Sequence, residues 1–283
     1  MMAEPSTLIM PPSDLRFRRR IRLGSIAREL WRSRELVRTL AEREIRARYK
    51  QAILGFGWAI VTPLALMIVF TLVFQRVARF DTGNVPYPLF TYVGVLTWTF
   101  FSVSVSQGGL SLVQNVNLLN KVYCPREVFP IASVTVAAID TVVALPALGL
   151  LFLVMGFAPK LTSFWVPVLL LVQIGFTLGI TFVISSIVVY LRDVRHALPL
   201  ILQLGIFMTP VGYPIEIIPA RFHGLYAVLN PLAVVIDGYR RSVLHGLAPR
   251  LTLLLLGGTS ALVVLVLGYL LFKRLEAGIA DVA

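Results

Sequence analysis

Cysteine, histidine and charge are all scarce in this sequence, and each scarcity excludes something. There is one cysteine, Cys124, so the chain can hold neither an intrachain disulfide nor a cysteine-based metal cluster. The three histidines, His196, His223 and His245, lie far apart with no metal-ligand spacing. Charged residues make up 14% of the chain, against about 25% in a soluble globular domain. No G-x-x-x-x-G-K-[ST] segment occurs, nor a nucleophile elbow, a His-Glu zinc motif or a carboxylate pair placed for catalysis. If the chain performs energy-driven work, the energy comes from another subunit.

What is abundant is apolar. The hydrophobic fraction is 57% of 283 residues and the mean hydropathy is +0.83. The natural unit is therefore a span of about 20 apolar residues that crosses a bilayer. The net charge of +12 would suit nucleic acid, but half of the basic residues sit in one N-terminal arm and no recognition module accompanies them. A membrane-topology signal accounts for them more simply.

That arm is informative. The first fifty residues hold thirteen Lys or Arg, and almost everything after Ala52 is apolar. Residues 1–24, with Pro5, Pro11, Pro12 and the run Arg18-Arg19-Arg20, read as a disordered cytoplasmic N-terminus. They lack a basic n-region followed by an apolar h-region, so the first span is expected to be a retained anchor rather than a cleaved signal peptide. From 25 to 50 the pattern is helical. At about 100° per residue, Ile26, Leu30, Val37, Leu40, Ala41 and Ile45 share one face. Arg28, Arg32, Arg43, Arg46 and Lys50 gather on the opposite one. This predicts an interfacial amphipathic helix with its apolar face in the headgroup boundary. A partner-docking role or a plain topology anchor would suit it.

The chain reads as an all-α membrane protein with six transmembrane helices, near 52–75, 87–107, 128–155, 164–190, 198–218 and 251–272. Six spans with a cytoplasmic N-terminus return the C-terminus to the cytoplasm. Nineteen Lys or Arg then fall inside, among them Lys121, Arg126, Arg192, Arg195, Lys273 and Arg274, against seven outside. That asymmetry agrees with the positive-inside rule. The stretch 219–249 is too apolar for an exposed loop, yet Gly224, Asn230-Pro231 and Gly238 interrupt it. A re-entrant helix pair in the outer leaflet fits it, such backbone being tolerated where it is buried in protein or lines a wet cavity. A seventh span is the alternative. The cytoplasmic loop 108–127 is long for a connection; Leu110, Val113, Asn117, Leu118 and Lys121 suit a short helix within it, before the turn at Pro125-Arg126-Glu127.

Charge inside the spans is sparse. Asp140 stands in the third span and is a functional candidate because an ionised carboxylate in hydrocarbon is costly. It suits either a contact to a neighbouring helix or a pore-facing polar group. No second intramembrane carboxylate offers a proton relay, which disfavours an ion-coupled carrier. Asp237 with Arg240 and Arg241 reads as an ion pair. Trp98 and Phe101 on the second span, with Phe207, Tyr213, Tyr226 and Tyr239 near the outer end of the fifth, suit ordinary interfacial anchoring. They also suit a conduit, where flat rings give sugar faces a low-specificity surface.

With these elements in order, the sequence resembles the ABC-2 type permease subunits that export lipid-linked polysaccharides such as O-antigen, capsule and teichoic acid. The arm RARYKQAILGFGWAIVTP (Arg46–Pro63), the loop LLNKVYCPREVFP, the segment YLRDVRHALPLILQ, the outer stretch TPVGYPIEIIP with LNPLAVVIDGYRRSVLHG, and the C-terminal FKRLEAGIADV are similar to family patterns. At Cys124 the family commonly carries an aromatic or apolar residue. The resemblance covers about residues 25–283. It implies a homodimer joined to two ATP-binding cassette subunits, with a channel between two six-span bundles in the cytoplasmic (inner) membrane. The chain itself would bind no cofactor and be no enzyme, ATP and Mg²⁺ belonging to the partner. Leu30, Val37, Leu40, Arg43, Arg46, Leu118, Lys121 and Arg126 are then expected to dock the ATPase. Trp98, Phe101, Phe207, Tyr213, Tyr226 and Tyr239 are expected at the channel or outer gate. The expected cargo is a lipid-linked polysaccharide of the O-antigen kind. The rivals are a teichoic acid, capsule or small lipid or drug permease, and a membrane enzyme of glycan assembly; the last lacks an acidic metal-binding motif.

Overall fold

The computed structural model describes residues 33–50, 52–77, 82–119 and 124–282. The proposed disorder of 1–24, the first turns of the arm with Leu30, and Lys121 lie outside the described residues. Among those described there is no strand, and five helices are long and apolar enough to cross a membrane. The protein is an all-α, multi-pass membrane protein.

The arm helix α1 (Arg34–Tyr49) leads into α2 (Gly57–Phe70), which continues as a π-helical turn, Thr71–Val77. Then follow α3 (Tyr87–Gln114), the single turn α4 (Val116–Leu119), α5 (Val128–Val154) and α6 (Val166–Tyr190). After them come α7 (Val194–Met208), α8 (His223–Leu229), α9 (Pro231–Tyr239) and α10 (Leu251–Val282). The π-helical segment Arg240–His245 continues α9.

Helix α3 is the axis of the bundle, packed between α5 and α6 with α2 alongside. Its residues 89–98 are buried without interruption, so it shows no single apolar face. The partner of α6 is α10, and small residues set how close they come. A Cβ on Gly179 would lie 2.7 Å from Leu265 N, and one on Gly268 would lie 2.4 Å from Gly179 O. Only glycine permits that backbone approach, the small-residue packing of membrane helices.

The arm helix is amphipathic, with its charged side exposed and its apolar side packed on the bundle. Leu40 and Ala41 are buried, with Leu36, Val37 and Ile45 beside them, against Val128, Phe129, Ala132 and Val136 of α5 and Phe272 of α10. The apolar stripe thus faces protein rather than lipid headgroups. Burying a leucine in this way is worth about 1.5–3 kcal/mol.

Two boundaries also differ from expectation. Helix α3 runs to Gln114 rather than stopping near 107, leaving a four-residue helix where a longer cytoplasmic one is expected. The segment near 198–218 is not one continuous helix. Helix α7 has 15 residues, about 22 Å at 1.5 Å per residue, and ends where Thr209 turns extended (φ −106°, ψ 140°) ahead of Pro210. The residue before proline avoids the α region, and Pro214 and Pro219 prevent the helix from resuming. Between 219 and 249 the chain builds the short pair α8 and α9, hinged at Asn230 before Pro231.

Candidate functional site: the arm cleft and the short helix pair

Asp140 stands near the middle of α5 and meets the arm. Arg48 Nη1 lies 2.6 Å from Asp140 Oδ2, and the Tyr49 hydroxyl donates to Oδ1 at 2.8 Å. Arg48 Nη2 also bonds Glu44 Oε1 at 3.1 Å, while Ser133 Oγ donates to Glu44 Oε2 at 3.0 Å. One guanidinium therefore serves two carboxylates, the fork geometry to which arginine is suited. Burial first, then the bond to Asp140, pushes the Tyr49 phenol up to about 12, so it stays a donor at neutral pH. Tyr49 also stacks on Phe56 at 4.5 Å, fixing the bend between α1 and α2.

Two cavities flank this cluster. One, of about 280 Å³, lies between the end of α1, α2, α3 and α5, walled by Trp58, Leu96, Phe100 and Ala137, with Asp140 and Arg48 at its edge. The other, of about 450 Å³, lies between α1, α3 and α5 and is lined by Arg43, Glu44, Gln107, Gln114, Asn115 and Ser133. Arg48 borders both.

At the same end the Pro125–Glu127 turn is clamped to α10. Glu127 is 1% exposed and its Oε2 lies 2.9 Å from Lys273 Nζ, which also holds Glu276 Oε2 at 2.9 Å. Arg126 donates to the carbonyl of Glu276. Tyr190, at the end of α6, donates to Leu275 O at 2.7 Å. Burial raises the thiol of Cys124 above its ordinary range, ahead of a smaller lowering by Arg126 and a further raising by Glu127.

At the far end Arg240 is the organising residue. It is 3% exposed and donates to Phe90 O (3.1 Å), Pro210 O (2.7 Å), Tyr213 O (3.1 Å) and Val211 O. Its guanidinium lies 3.5 Å over the Phe90 ring, a cation–π contact strengthened by burial. Gly94 makes room for it: a Cβ there would lie 2.6 Å from Val211 O and 2.8 Å from Arg240 Nη2. The expected Asp237–Arg240/Arg241 ion pair is not what forms. Asp237 Oδ2 faces Arg250 Nε at 3.8 Å, and Arg250 also bonds Glu216.

The residues singled out from sequence thus scatter among several roles. Val37 and Leu40 pack on α5, and Leu118 packs half-buried on the same cluster. Arg43 donates to Asn115, and Arg46 is exposed, 3.9 Å from Glu42. Arg126 is committed to α10. Trp98 and Phe101 lie in the bundle's core, the latter stacked on Phe176 at 5.7 Å. Phe207 is exposed on α7. The Tyr213 and Tyr226 hydroxyls donate to Phe207 O (3.0 Å) and Met208 O (2.6 Å), satisfying the end of α7, while Tyr239 reaches Gln173 (2.9 Å). These six aromatics do not converge on one surface. Sequence reasoning missed the roles of Arg48, Glu127 and Arg240; the lone carboxylate at Asp140 and the Glu44–Arg48 spacing were the available signal for the first.

Long apolar helices around a buried axis, a basic arm and a short hinged helix pair define a multi-pass helical membrane protein. Residues 35–244 match the ABC-2 type transporter family, and the chain belongs to it. It is similar to the O-antigen export system permease protein RfbA of Myxococcus xanthus, 35% identical over 216 residues, covering 76% of this chain and 82% of that one. An RfbA of Klebsiella pneumoniae is 26% identical over 249 residues, covering 88% and 95%. The polysialic acid transport protein KpsM of Escherichia coli is 27% identical over 218 residues, covering 74% and 81%.

Proposed function

We propose that this chain is the membrane-spanning subunit of an ATP-driven exporter of a lipid-linked polysaccharide, of the O-antigen kind. The observation that carries the reading is the likeness to O-antigen export permeases over 76–88% of the chain, beside a family match whose span, residues 35–244, takes in most of the arm and the short helix pair. In this reading the chain works in the cytoplasmic membrane as a homodimer with two ATP-binding cassette subunits. Both termini are cytoplasmic, and ATP and Mg²⁺ are held by the partner. The absence of any P-loop sequence supports that division of labour.

The mechanics follow from the contacts. The outward face of α1, with Arg38, Glu42, Arg43 and Arg46 exposed, together with the 110–122 segment that includes Leu118 and Lys121, serves as the docking surface. Val37 and Leu40 tie that surface to α5, so a push on α1 moves the bundle. Arg126 and Glu127 carry the same motion to α10 through Lys273 and Glu276. The α8–α9 pair, held to the turn after α7 by Arg240, forms the outer gate across residues 212–245, with Phe207, Tyr213 and Tyr226 beside it. The likeness to KpsM makes capsule export the second reading.

Deletion of the gene tests the export reading. Loss of surface glycan with accumulation of its lipid-linked form inside supports it, and the retained sugar identifies the cargo. Loss without accumulation would indicate synthesis instead.

A further inference from the structure

Asp140 is the only charged residue of α5, and it stands about 18 Å along that helix from Val128. An ionised carboxylate among membrane helices is costly. An apolar pair of the same volume would hold two helices together as well or better. What a buried ion pair supplies, and apolar packing does not, is a fixed register.

The contacts between the arm and α5 divide along that line. Leu40 and Ala41 pack against Val128, Phe129, Ala132 and Val136. Such contact is non-directional: it joins two helices without setting how far one lies along the other. The directional bonds gather at the end of the arm. Arg48 Nη1 meets Asp140 Oδ2 at 2.6 Å and the Tyr49 hydroxyl donates to Oδ1 at 2.8 Å, so consecutive arm residues take both carboxylate oxygens. Glu44, which accepts from Ser133 of α5 at 3.0 Å, is held by the same Arg48. Open cavities of about 280 and 450 Å³ both border Arg48. The polar contacts, rather than close packing on every side, therefore set the position of this end of the arm.

We propose that Asp140 is a positioning residue of the transport cycle. By holding Arg48 and Tyr49 it locks the arm in register on α5, so that a displacement of the arm by the ATPase becomes a displacement of α5. The proposal rests on the export reading above, in which the ATPase acts on the arm. Without the lock the arm slips along α5, and ATP is hydrolysed with little export.

Asp140→Asn tests this cleanly, because it leaves Arg48 and Glu44 as a balanced pair 3.1 Å apart. Spin labels at Arg38→Cys on α1 and Val142→Cys on α5, both exposed positions, report the register. They are read in the complex with its ATPase, with Cys124→Ser as background, free of nucleotide and trapped with ATP and vanadate. With Asp140 in place the distance should be the same in both states; in Asp140→Asn it should shift or broaden on trapping. A distance that changes with Asp140 in place, or that stays fixed in Asp140→Asn, would overturn the proposal.

The second readout is glycan exported per ATP hydrolysed in proteoliposomes. Asp140→Asn should keep ATPase co-purification and hydrolysis and lower that ratio several-fold. Tyr49→Phe, which removes one bond and no charge, should give a smaller loss, and Asp140→Glu should restore most of the ratio. Export and hydrolysis falling in proportion, as a merely destabilised chain would give, would also overturn it. The distance measurement needs no glycan, so failure of the register is distinct from failure of the export reading.

Discussion

Arg48, in the last turn of the arm helix, places its Nη1 2.6 Å from Oδ2 of Asp140, 92 residues further along the chain. The contact is three-quarters or more shielded on both sides, with side-chain exposures of 25% and 15%. It joins the arm helix to the middle of α5. Removing Arg48 leaves Asp140 without its cation in a poorly solvated place, while removing the Asp140 charge leaves Arg48 with Glu44 alone. Asp140→Asn and Arg48→Met are each expected to cost about 1.5–3 kcal/mol, the range for a charged hydrogen bond. The double variant should cost less than the two singles added, because each single strands the other's partner. Thermal unfolding in detergent measures all three; strict additivity would remove the coupling.

The arm's two faces should respond differently to substitution. Arg38→Glu with Arg46→Glu reverses exposed charges whose partner among the described residues is Glu42, and exposed pairs contribute little to stability. That variant should keep its unfolding midpoint and lose ATPase co-purification. Leu40→Asp buries a carboxylate against α5 and should destabilise the chain itself. Retained co-purification in the charge-reversed protein would remove the docking claim.

Arg240 should be intolerant even of lysine. An ammonium cannot span four carbonyls on two elements or lie flat on Phe90 as the guanidinium does. Arg240→Met leaves at least two buried carbonyls without a donor, at about 1–3 kcal/mol each. Gly94→Ala should reproduce much of that loss by forcing Val211 and Arg240 apart. The check is the unfolding midpoint of each variant beside protease sensitivity of the 209–219 segment, which should rise in all of them.

Cys124, the one cysteine, should alkylate slowly. Its thiol titrates above the ordinary range because it is partly buried, and the thiolate is the nucleophile. At neutral pH N-ethylmaleimide labelling should be slower than for a free peptide thiol. The rate should climb with pH to a midpoint above that of the unfolded chain. Labelling as fast as the unfolded chain at neutral pH would contradict the packing of this turn.

Much of the fold was legible because membrane helices announce themselves as long apolar runs, as α3, α5, α6 and α10 do. The segment after Met208 was not, because Val211 to Ile218 continues the apolar run while Pro210, Pro214 and Pro219 quietly forbid the helix. The arm's apolar stripe was visible, but periodicity names a buried face without naming its neighbour; here that neighbour is α5, not lipid. Arg240 misled for a related reason. An acid three residues away at Asp237 invites an ion pair, yet the guanidinium turns to backbone carbonyls at residues 90 and 210–213, and carbonyl acceptors leave no mark in a sequence. Trp98 and Phe101 show the limit for aromatics, since core packing and channel lining use the same residues at the same spacing.

Reconstitution tests the central claim most directly. The chain and its ATPase partner are placed in proteoliposomes carrying a radiolabelled lipid-linked glycan on the face exposed to ATP, and glycan shielded from an added glycosidase is measured over time. The account predicts protection that requires ATP, Mg²⁺ and both subunits. ATP hydrolysis by an intact complex with no gain in protected glycan would contradict it.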